Sequence, residues 1–336
     1  MEFEPLVSII IPVYNGSNYL KEAIDSALNQ TYGNLEVLVI NDGSCDEGQT
    51  DQIALSYGDR IKYFSKPNGG VASALNLGIE QMLGEYFSWL SHDDMYFPDK
   101  ISAQIELLSN VEDKSTIAFS GWTIIDDIGK SMHQVLPLKK YTDRQLSISL
   151  FALLHGQING CSLLIHRSHF ERVGIFNEKL PTTQDFDLWF RIMRETNMIC
   201  HPDALSMIRI HGEQGSKKTI RAHSEACDAL WIDMMESLSE NEKIKMDGTV
   251  YQFYKNIYIL LASTSTYRQA ISHAKGKYNA ELQRGVGKFL FLIKTTGVFL
   301  SLRCRFIQMF FTSLKDFGIV NTIKRTNQAL RRLLYR

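Results

Sequence analysis

The sequence predicts an α/β fold in which a mostly parallel sheet carries helices on both faces. Short apolar, β-branched runs alternate with segments of helical periodicity four times within the first hundred residues. Each run ends in a polar loop that contains Asn, Asp, Gly or Pro. Because this alternation is typical of parallel strands joined by helices, we expect one such domain over residues 1–221. A helical, basic region is expected over residues 222–336.

The apolar runs predict where the strands lie, and apolar residues at helical spacing predict the helices. We expect strands over residues 7–12, 35–40, 61–64 and 87–90, and helices over residues 20–28 and 71–82. The carboxyl ends of parallel strands meet at one edge of a sheet, where open α/β folds bind ligands. The loops after the four strands would therefore gather five polar side chains along that edge: Tyr14, Asn15, Asp42, Asn68 and Asp93.

The composition of the 336 residues is that of an ordinary globular protein, with 44% hydrophobic and 22% charged residues. The five cysteines are an odd number without a C-x-x-C spacing, which favours free thiols in a reducing cytosol over disulfides or a zinc site. No signal peptide and no run of about 18 apolar residues is evident. Neither a Walker-type loop nor G-x-G-x-x-G follows the first strand, which argues against an ATPase or a dinucleotide-binding enzyme.

Two adjacent carboxylates, Asp93 and Asp94, follow closely on the fourth predicted strand. Two negative charges in one place repel each other unless a cation or donor group lies between them. Carboxylate oxygens are hard ligands that suit Mg²⁺ or Mn²⁺. An acidic turn that caps the helix beginning near Pro98 explains the same residues equally well on this stretch alone.

Tyr14 and Asp42 have the chemistry that a nucleobase requires. An aromatic ring offers a surface for the face of the base, and the Asp42 carboxylate could accept the N3 proton of a uracil. A diphosphate attached to the nucleoside would bring negative charge, which a cation near Asp93 would neutralise.

Four motifs occur in order along the chain. They are V-S-I-I-I-P-V-Y-N at residues 7–15, N-D-G-S at 41–44, N-G-G with A-L-N at 68–76, and W-L-S-H-D-D at 89–94 with Pro98 and Lys100 behind it. Together they resemble the family 2 glycosyltransferases over about residues 5–218. This resemblance implies the GT-A fold and the transfer of a sugar with inversion at its anomeric carbon.

The resemblance also implies roles for residues of the first hundred. The uridine pocket would be lined by Pro12, Tyr14, Asn15, Asp42 and Asn68. The D-x-D motif of the family falls on residues 91–93, so Asp93 would bind the metal directly and Asp94 would be a supporting acid. Ser91 stands where the family has its first Asp, and contacts to the ribose or to metal-bound water would differ accordingly.

The segment Q-D-F-D-L-W at residues 184–189 is similar to the E-D-Y-D-L-W segment of the family, whose second residue is the general base. Asp185 matches that residue, while Gln184 replaces the usual Glu. Spacing alone gives Asp185 and Asp187 another interpretation, as acids favoured in the first turn of a helix.

The segment R-I-H at residues 209–211 completes the resemblance. In the family, Arg-x-His and the small polar loop behind it close over the donor diphosphate, and the His can complete the metal sphere. His211 would then be the second metal ligand, and Ser216 and Lys217 would touch phosphate.

From Lys275 onward the chain carries 13 Lys and Arg residues against Glu281 and Asp316. Between residues 285 and 314 bulky apolar residues alternate with basic ones, which predicts helices in a membrane interface, where anionic lipids attract each basic side chain by about 1 kcal/mol. A basic helical bundle that covers its own apolar face is the alternative. No nucleic-acid-binding motif accompanies the charge, so nucleic acid is not an expected partner.

The resemblance and the basic tail together imply an activity. We expect a metal-dependent enzyme, using Mn²⁺ or Mg²⁺, that moves a hexose or N-acetylhexosamine from a UDP-sugar to a hydroxyl of a glycan. The acceptor would be a sugar-diphosphate-lipid in bacterial O-antigen or capsule assembly, and the enzyme would be cytoplasmic and peripheral on the inner face of the cell membrane. The alternatives are a transferase for a soluble glycan or protein acceptor, and a non-catalytic nucleotide-sugar-binding protein, which Ser91 and Gln184 make conceivable.

Overall fold

The computed structural model describes residues 3–180, 182–212, 214, 220–264 and 267–296. The chain divides into two units, Met1–Tyr278 and Asn279–Arg336. The helices between residues 220 and 264 belong to this first unit. The predicted division between residues 221 and 222 stays a prediction.

Within the described residues, nine strands form one sheet. In chain order they are β1 (Val7–Val13), β2 (Leu35–Asn41), β3 (Lys62–Ser65), β4 (Tyr86–Trp89), β5 (Met95–Tyr96), β6 (Ile117–Ile125), β7 (Ser131–Val135), β8 (Leu163–His166) and β9 (Met198–Arg209). Their order across the sheet is β3-β2-β1-β4-β8-β6-β9-β5, and β7 pairs with β6. The neighbours among β3, β2, β1 and β4 are parallel, as predicted, whereas β8 is antiparallel to both β4 and β6.

The helices of the described chain lie between and after these strands. They are α1 (Leu20–Leu28), α2 (Gln49–Leu55), α3 (Val71–Gln81), α4 (Lys100–Ser109), α5 (Pro137–Lys140), α6 (Asp143–Leu146), α7 (Phe151–Leu154), α8 (Ser168–Val173), α9 (Gln184–Met193), α10 (Ile220–Ser237), α11 (Glu240–Asp247), α12 (Val250–Thr264) and α13 (Arg268–Thr296). None of the helices in these described ranges combines the length and the apolarity needed to cross a bilayer. More than half of the predicted membrane-interface segment, residues 285–314, lies outside the described residues.

Strand β1 faces two separate hydrophobic cores, because successive side chains of a strand point to opposite faces. Ile9 and Ile11 pack in one core with residues of α1 and α4, and Ile10 packs in the other with residues of α3. Helices therefore cover both faces of the sheet, which confirms the predicted architecture. The second core continues through Trp189 of α9 to Trp231 of α10 and onward to α12, so the helical region shares a core with the sheet.

Lys100 is buried beneath β4 instead of lying on the exposed side of α4. Its Nζ donates to the Oγ of Ser88 at 2.9 Å, to the Oε1 of Gln104 at 2.8 Å and to the carbonyl of Leu163 at 3.3 Å. The ammonium group also lies 4.4 Å from the centre of the Tyr96 ring. Burial lowers the pKa of Lys100 to about 7.

This burial predicts a pH-dependent stability. The folded chain gives up the Lys100 proton near pH 7, whereas the unfolded chain keeps it to about pH 10.5, so the free energy of unfolding rises with pH between these values. Between pH 7 and 9.5 we expect a rise on the order of 3 kcal/mol from this group. Urea unfolding of the native protein and of Lys100→Met at several pH values measures this rise. The variant has no ionisable group at residue 100 and should lack it. Equal pH slopes in the two proteins would contradict the assignment.

Candidate active site

The register of the parallel strands brings their following loops to one edge of the sheet. Val13 pairs with Asn41, Asn41 with Ser65, and Ile10 with Trp89. The loops that begin at Tyr14, Asp42 and Lys66 are therefore neighbours at this edge, and the loop that carries Asp93 follows β4 beside them.

Asp93 and His211 are in direct contact. Asp93 lies between β4 and β5, and His211 lies two residues after β9, which pairs with β5. The pairing of β5 with β9 brings the two residues together across 118 positions of sequence, with His211 Nε2 2.9 Å from Asp93 Oδ2. Both side chains are largely buried, at 7% and 14% exposure. An imidazole nitrogen and a carboxylate oxygen at this distance are suitable ligands for Mn²⁺.

Asp94 lies behind this pair and is buried. Its Oδ1 accepts a hydrogen bond from the backbone N–H of Arg209 at 2.8 Å, and its Oδ2 accepts one from the thiol of Cys161 at 3.3 Å. Burial and the neighbouring charge of Asp93 raise the pKa of Asp94 to about 8. Burial also raises the pKa of Cys161 well above its usual value, so this residue is a neutral thiol that donates. The two adjacent acids thus have different partners: Asp93 faces His211, and Asp94 fixes the loop.

Arg209 holds the same loop from the end of β9. Its Nε donates to the carbonyl of Asp93 at 2.9 Å, its Nη1 to the carbonyl of Asp127 at 3.0 Å, and its Nη2 to the Glu22 carboxylate at 2.6 Å. The guanidinium carbon lies 4.3 Å from the centre of the Tyr19 ring, and the side chain is 1% exposed. The arginine of the R-I-H segment therefore points into the protein and anchors the Asp93 loop.

We expect Arg209→Met to weaken metal binding at Asp93 and His211 by about 10-fold or more, because residues that orient metal ligands contribute this much to affinity. Manganese binding followed by electron paramagnetic resonance measures the effect. Arg172→Met is the matched control, since Arg172 also donates to a backbone carbonyl, that of Ile192, at 2.7 Å. Equal manganese affinities of native protein and Arg209→Met would contradict this positioning role.

Asp42 organises the loops after β2 and β3. Its Oδ1 accepts hydrogen bonds from Lys66 Nζ at 2.6 Å and from the Gly69 N–H at 3.0 Å, and its Oδ2 accepts one from the Gly70 N–H at 2.7 Å. Asn68 donates to the carbonyl of Asp42 at 2.9 Å.

The glycine of the N-D-G-S motif permits this arrangement. Gly43 has φ +71°, and a Cβ there would lie 2.6 Å from the backbone nitrogen of Asn68. A larger residue would push the two loops apart.

The loop after β1 presents an aromatic ring next to Asp42. Tyr14 is 46% exposed, whereas Pro12 is buried within β1. Asn15 joins this loop to the loop after β2: its N–H donates to the Ser44 Oγ at 2.9 Å, and its Oδ1 accepts from the Cys45 N–H at 2.7 Å. An exposed ring beside a nearly buried carboxylate is a suitable surface for a planar base.

Asp185 lies in the first turn of α9, as predicted. Its Oδ1 accepts a hydrogen bond from the Phe186 N–H at 2.9 Å, and the side chain is half-buried. The rings of Trp189 and Trp89 lie 6.5 Å apart, which connects α9 to the strand that leads to Asp93. Asp187, one position beyond Phe186, instead forms an ion pair with Arg191 at 2.7 Å.

The helical region contributes side chains next to Asp185. Phe186 packs against Trp231 of α10, with 6.3 Å between ring centres. Burial, the Cys227 thiol and the Asp185 carboxylate raise the pKa of Tyr267 to about 12, so Tyr267 is a neutral phenol near Asp185. Helix α10 and the residues before α13 therefore form part of the surroundings of the candidate base.

Two of the predicted site residues, Ser216 and Lys217, lie outside the described residues. The structure adds Arg209, Glu22, Cys161 and Lys66 as side chains that organise the site. The partners of these four lie 24 to 187 positions away along the chain, and no local motif indicates such contacts.

A divalent metal fits the donor set of Asp93 and His211 when a nucleotide supplies further ligands. In the described ranges, no group of three or more His, Cys, Asp or Glu side chains could hold a metal by itself. Mg²⁺ and similar ions at nucleotide sites take one or two protein ligands and complete their coordination with phosphate oxygens and water. The pair therefore matches a metal that is shared with a diphosphate.

Comparison with known proteins shows which family the chain is similar to. A model described as glycosyl transferase family 2 matches residues 8–174. An uncharacterized glycosyltransferase of Rickettsia felis is 52% identical over 266 residues, which cover 79% of this chain and 44% of that protein. Another, from Rickettsia prowazekii, is 48% identical over 259 residues, which cover 77% of this chain and 80% of the relative.

Solved structures resemble the fold at low sequence identity. S. aureus TarS 1-349 in complex with UDP-GlcNAc has a TM-score of 0.56 at 14% identity, over 82% of this chain and 92% of that one. The mannosyltransferase PcManGT from Pyrobaculum calidifontis, in complex with GDP-Man and Mn²⁺, has a TM-score of 0.55 at 16% identity, over 85% and 81% of the two chains.

The fold is the GT-A fold. The chain belongs to glycosyl transferase family 2. It spans less than half the length of several of its Rickettsia relatives, 44% in Rickettsia felis and 39% in Rickettsia bellii.

Proposed function

We propose that the chain is a metal-dependent, inverting glycosyltransferase that moves a hexose or N-acetylhexosamine from a UDP-sugar to a hydroxyl of a glycan acceptor. The contact between Asp93 and His211 carries this proposal, because it joins two metal-ligating side chains at the sheet edge where Tyr14 and Asp42 also lie. Relatives of the same fold support it: TarS was crystallised with UDP-GlcNAc, and PcManGT with GDP-Man and Mn²⁺.

Asp93 and His211 would hold Mn²⁺ or Mg²⁺, which when bound offsets the charge on the diphosphate as UDP leaves. Side chains of the protein bind the base and hold the Asp93 loop. Tyr14 offers its ring to the face of the base, and Asp42 accepts the N3 proton. Arg209 and Asp94 keep the Asp93 loop in place through their mutual hydrogen bond.

Asp185 is the general base of this proposal. Its carboxylate removes the proton from an acceptor hydroxyl, and the oxygen attacks the anomeric carbon from the face opposite UDP. The new glycosidic bond forms as the bond to the diphosphate breaks, so a single displacement inverts the anomeric centre. An α-linked donor then gives a β-linked product, without a covalent sugar-enzyme intermediate.

The acceptor that we propose is a sugar carried on a lipid diphosphate, as in bacterial O-antigen or capsule assembly. From Lys275 onward the chain has 13 basic and two acidic residues, which supports a position of the enzyme at an anionic membrane surface. We expect the full chain to sediment with vesicles of phosphatidylglycerol, and to be released by high salt, because surface charge is screened. Failure to sediment at low salt would favour a soluble glycan or protein acceptor.

The transferase activity is tested by UDP release from a panel of UDP-sugars, with Mn²⁺ or with EDTA, in the presence of a GlcNAc- or GalNAc-diphosphate-lipid analogue. The proposal predicts metal-dependent release with one donor that exceeds release with the others. Release that is equal with Mn²⁺ and with EDTA would contradict metal dependence, and no release with any donor would contradict the proposed substrates.

A further inference from the structure

Lys66 and Asp42 form an ion pair at the edge of the predicted base pocket. The Nζ of Lys66 lies 2.6 Å from Asp42 Oδ1 and 2.7 Å from the carbonyl of Pro67. The exposed fractions of the two side chains are 19% and 4%.

After the hydrogen bonds of this pair are counted, Asp42 can still accept one hydrogen bond and Lys66 can still donate one. An ionised carboxylate oxygen accepts two hydrogen bonds, and an ammonium group donates three. Within the described residues, Asp42 Oδ1 accepts two and Oδ2 accepts one, from Gly70. Lys66 donates two, to Asp42 and to Pro67. One position on Asp42 Oδ2 and one N–H of Lys66 therefore complement a ligand that presents a donor next to an acceptor.

Uracil has this pattern, because its N3–H lies between two carbonyl oxygens. At N3 and C4 cytosine has the reverse pattern, with an unprotonated N3 next to the 4-amino group, and adenine presents N1 next to an amino group in the same way. Guanine presents N1–H beside O6, but its additional amino group requires a further acceptor. The pair therefore favours uracil, and to a lesser degree guanine, over cytosine and adenine.

We propose that Lys66 is a base-specificity residue, which donates to O4 of the uracil while Asp42 accepts the N3 proton. This inference rests on the proposed use of a UDP-sugar and assigns the choice of base to a named side chain. Two features of the chain support it: the 2.6 Å contact that aligns the ammonium group with the carboxylate, and the exposed Tyr14 ring at the same edge.

The test compares the dissociation constants of UDP and CDP, measured by calorimetry with Mn²⁺, for native protein and variants. We expect native protein to bind UDP at least about 100-fold more tightly than CDP, since both hydrogen bonds are lost and replaced by repulsion. Lys66→Met should weaken UDP binding about 10-fold or more and should not weaken CDP binding, so the ratio falls by about 10-fold or more. Lys66→Arg keeps a donor and should keep most of the preference.

Lys62→Met is the matched control, because Lys62 lies on β3, the strand that precedes Lys66, and pairs with Glu36 at 2.5 Å. It should leave the UDP to CDP ratio unchanged. A ratio that is also unchanged in Lys66→Met would overturn the inference and leave the proposed function intact, because a merely structural lysine would affect both nucleotides equally. Native protein that binds neither nucleotide would overturn the proposed function and, with it, this inference.

Discussion

The Asp185→Asn variant is expected to bind UDP as tightly as native protein and to lose sugar transfer by about 10³-fold or more. The substitution keeps the shape of the side chain but removes its ability to take a proton, and general bases contribute about 10² to 10⁴ to rate. Asp185 lies in the first turn of α9, and its proposed partner is the acceptor hydroxyl and not the nucleotide, so we expect UDP affinity to be unchanged. Single-turnover transfer and UDP calorimetry on the same preparation separate the two effects.

Asp187→Asn provides the control within the same helical turn. Asp187 is an acid of the same type, but its carboxylate forms the 2.7 Å ion pair with Arg191. We expect this variant to retain transfer within a few-fold and to lose on the order of 1 kcal/mol of stability, because the pair is partly exposed. If Asp185→Asn kept its turnover, or if both variants lost activity alike, Asp185 would not be the base.

The second large effect is expected for Asp93→Asn. This change removes the carboxylate that we propose as a metal ligand next to His211, and we expect the manganese-dependent gain in UDP affinity to fall by about 10-fold or more. Binding of UDP measured with EDTA should remain at the native level, since Tyr14 and Asp42 are untouched. Calorimetry with EDTA and at several Mn²⁺ concentrations gives the UDP affinity without metal and its dependence on manganese.

Asp99→Asn is the control for charge. Asp99 is an exposed acid that precedes α4, and its side chain makes no capping hydrogen bond to the helix. It should leave manganese dependence unchanged. Native manganese dependence in Asp93→Asn would remove Asp93 and its partner His211 from the metal site.

The first half of the fold is predictable because its local signals agree. Strands β1 to β4 are buried β-branched and aromatic runs, each within two residues of the prediction, and α1 and α3 follow from periodicity. The second half carries weaker signals. Strand β9 spans 12 residues and includes half-buried His201 and exposed Pro202 and Asp203 near its middle, so neither alternation nor a continuous apolar run marks it.

In the candidate site, too, some features are predictable from the sequence and others are not. Asp42, Asp93, Asp185 and His211 are recognisable from motifs, because each stands at a fixed distance from a strand or helix end. The contacts that position them are long-range. Arg209 meets Glu22 across 187 residues and Asp93 across 116, and Cys161 meets Asp94 across 67. Such pairs depend on the order of strands in the sheet, which periodicity does not determine.

The burial of Arg209 also shows why a motif is insufficient to assign a role. The R-I-H segment suggests two residues that face the donor together. Arg209 is buried beside Tyr19 and Glu22, whereas His211, two residues later and beyond the strand end, meets Asp93. Sequence predicts the residue types at the site, whereas the pairing of β5 with β9 determines which of them face each other.

The most direct measurement is the equilibrium binding of UDP to the native chain with Mn²⁺ and with EDTA, because it requires neither the sugar nor the acceptor to be known. The account predicts binding in manganese that weakens by about 10-fold or more in EDTA, and loss of this difference in Asp93→Asn. Binding that is equally tight in both conditions would contradict the metal site of Asp93 and His211. Absence of UDP binding in either condition would contradict the account as a whole.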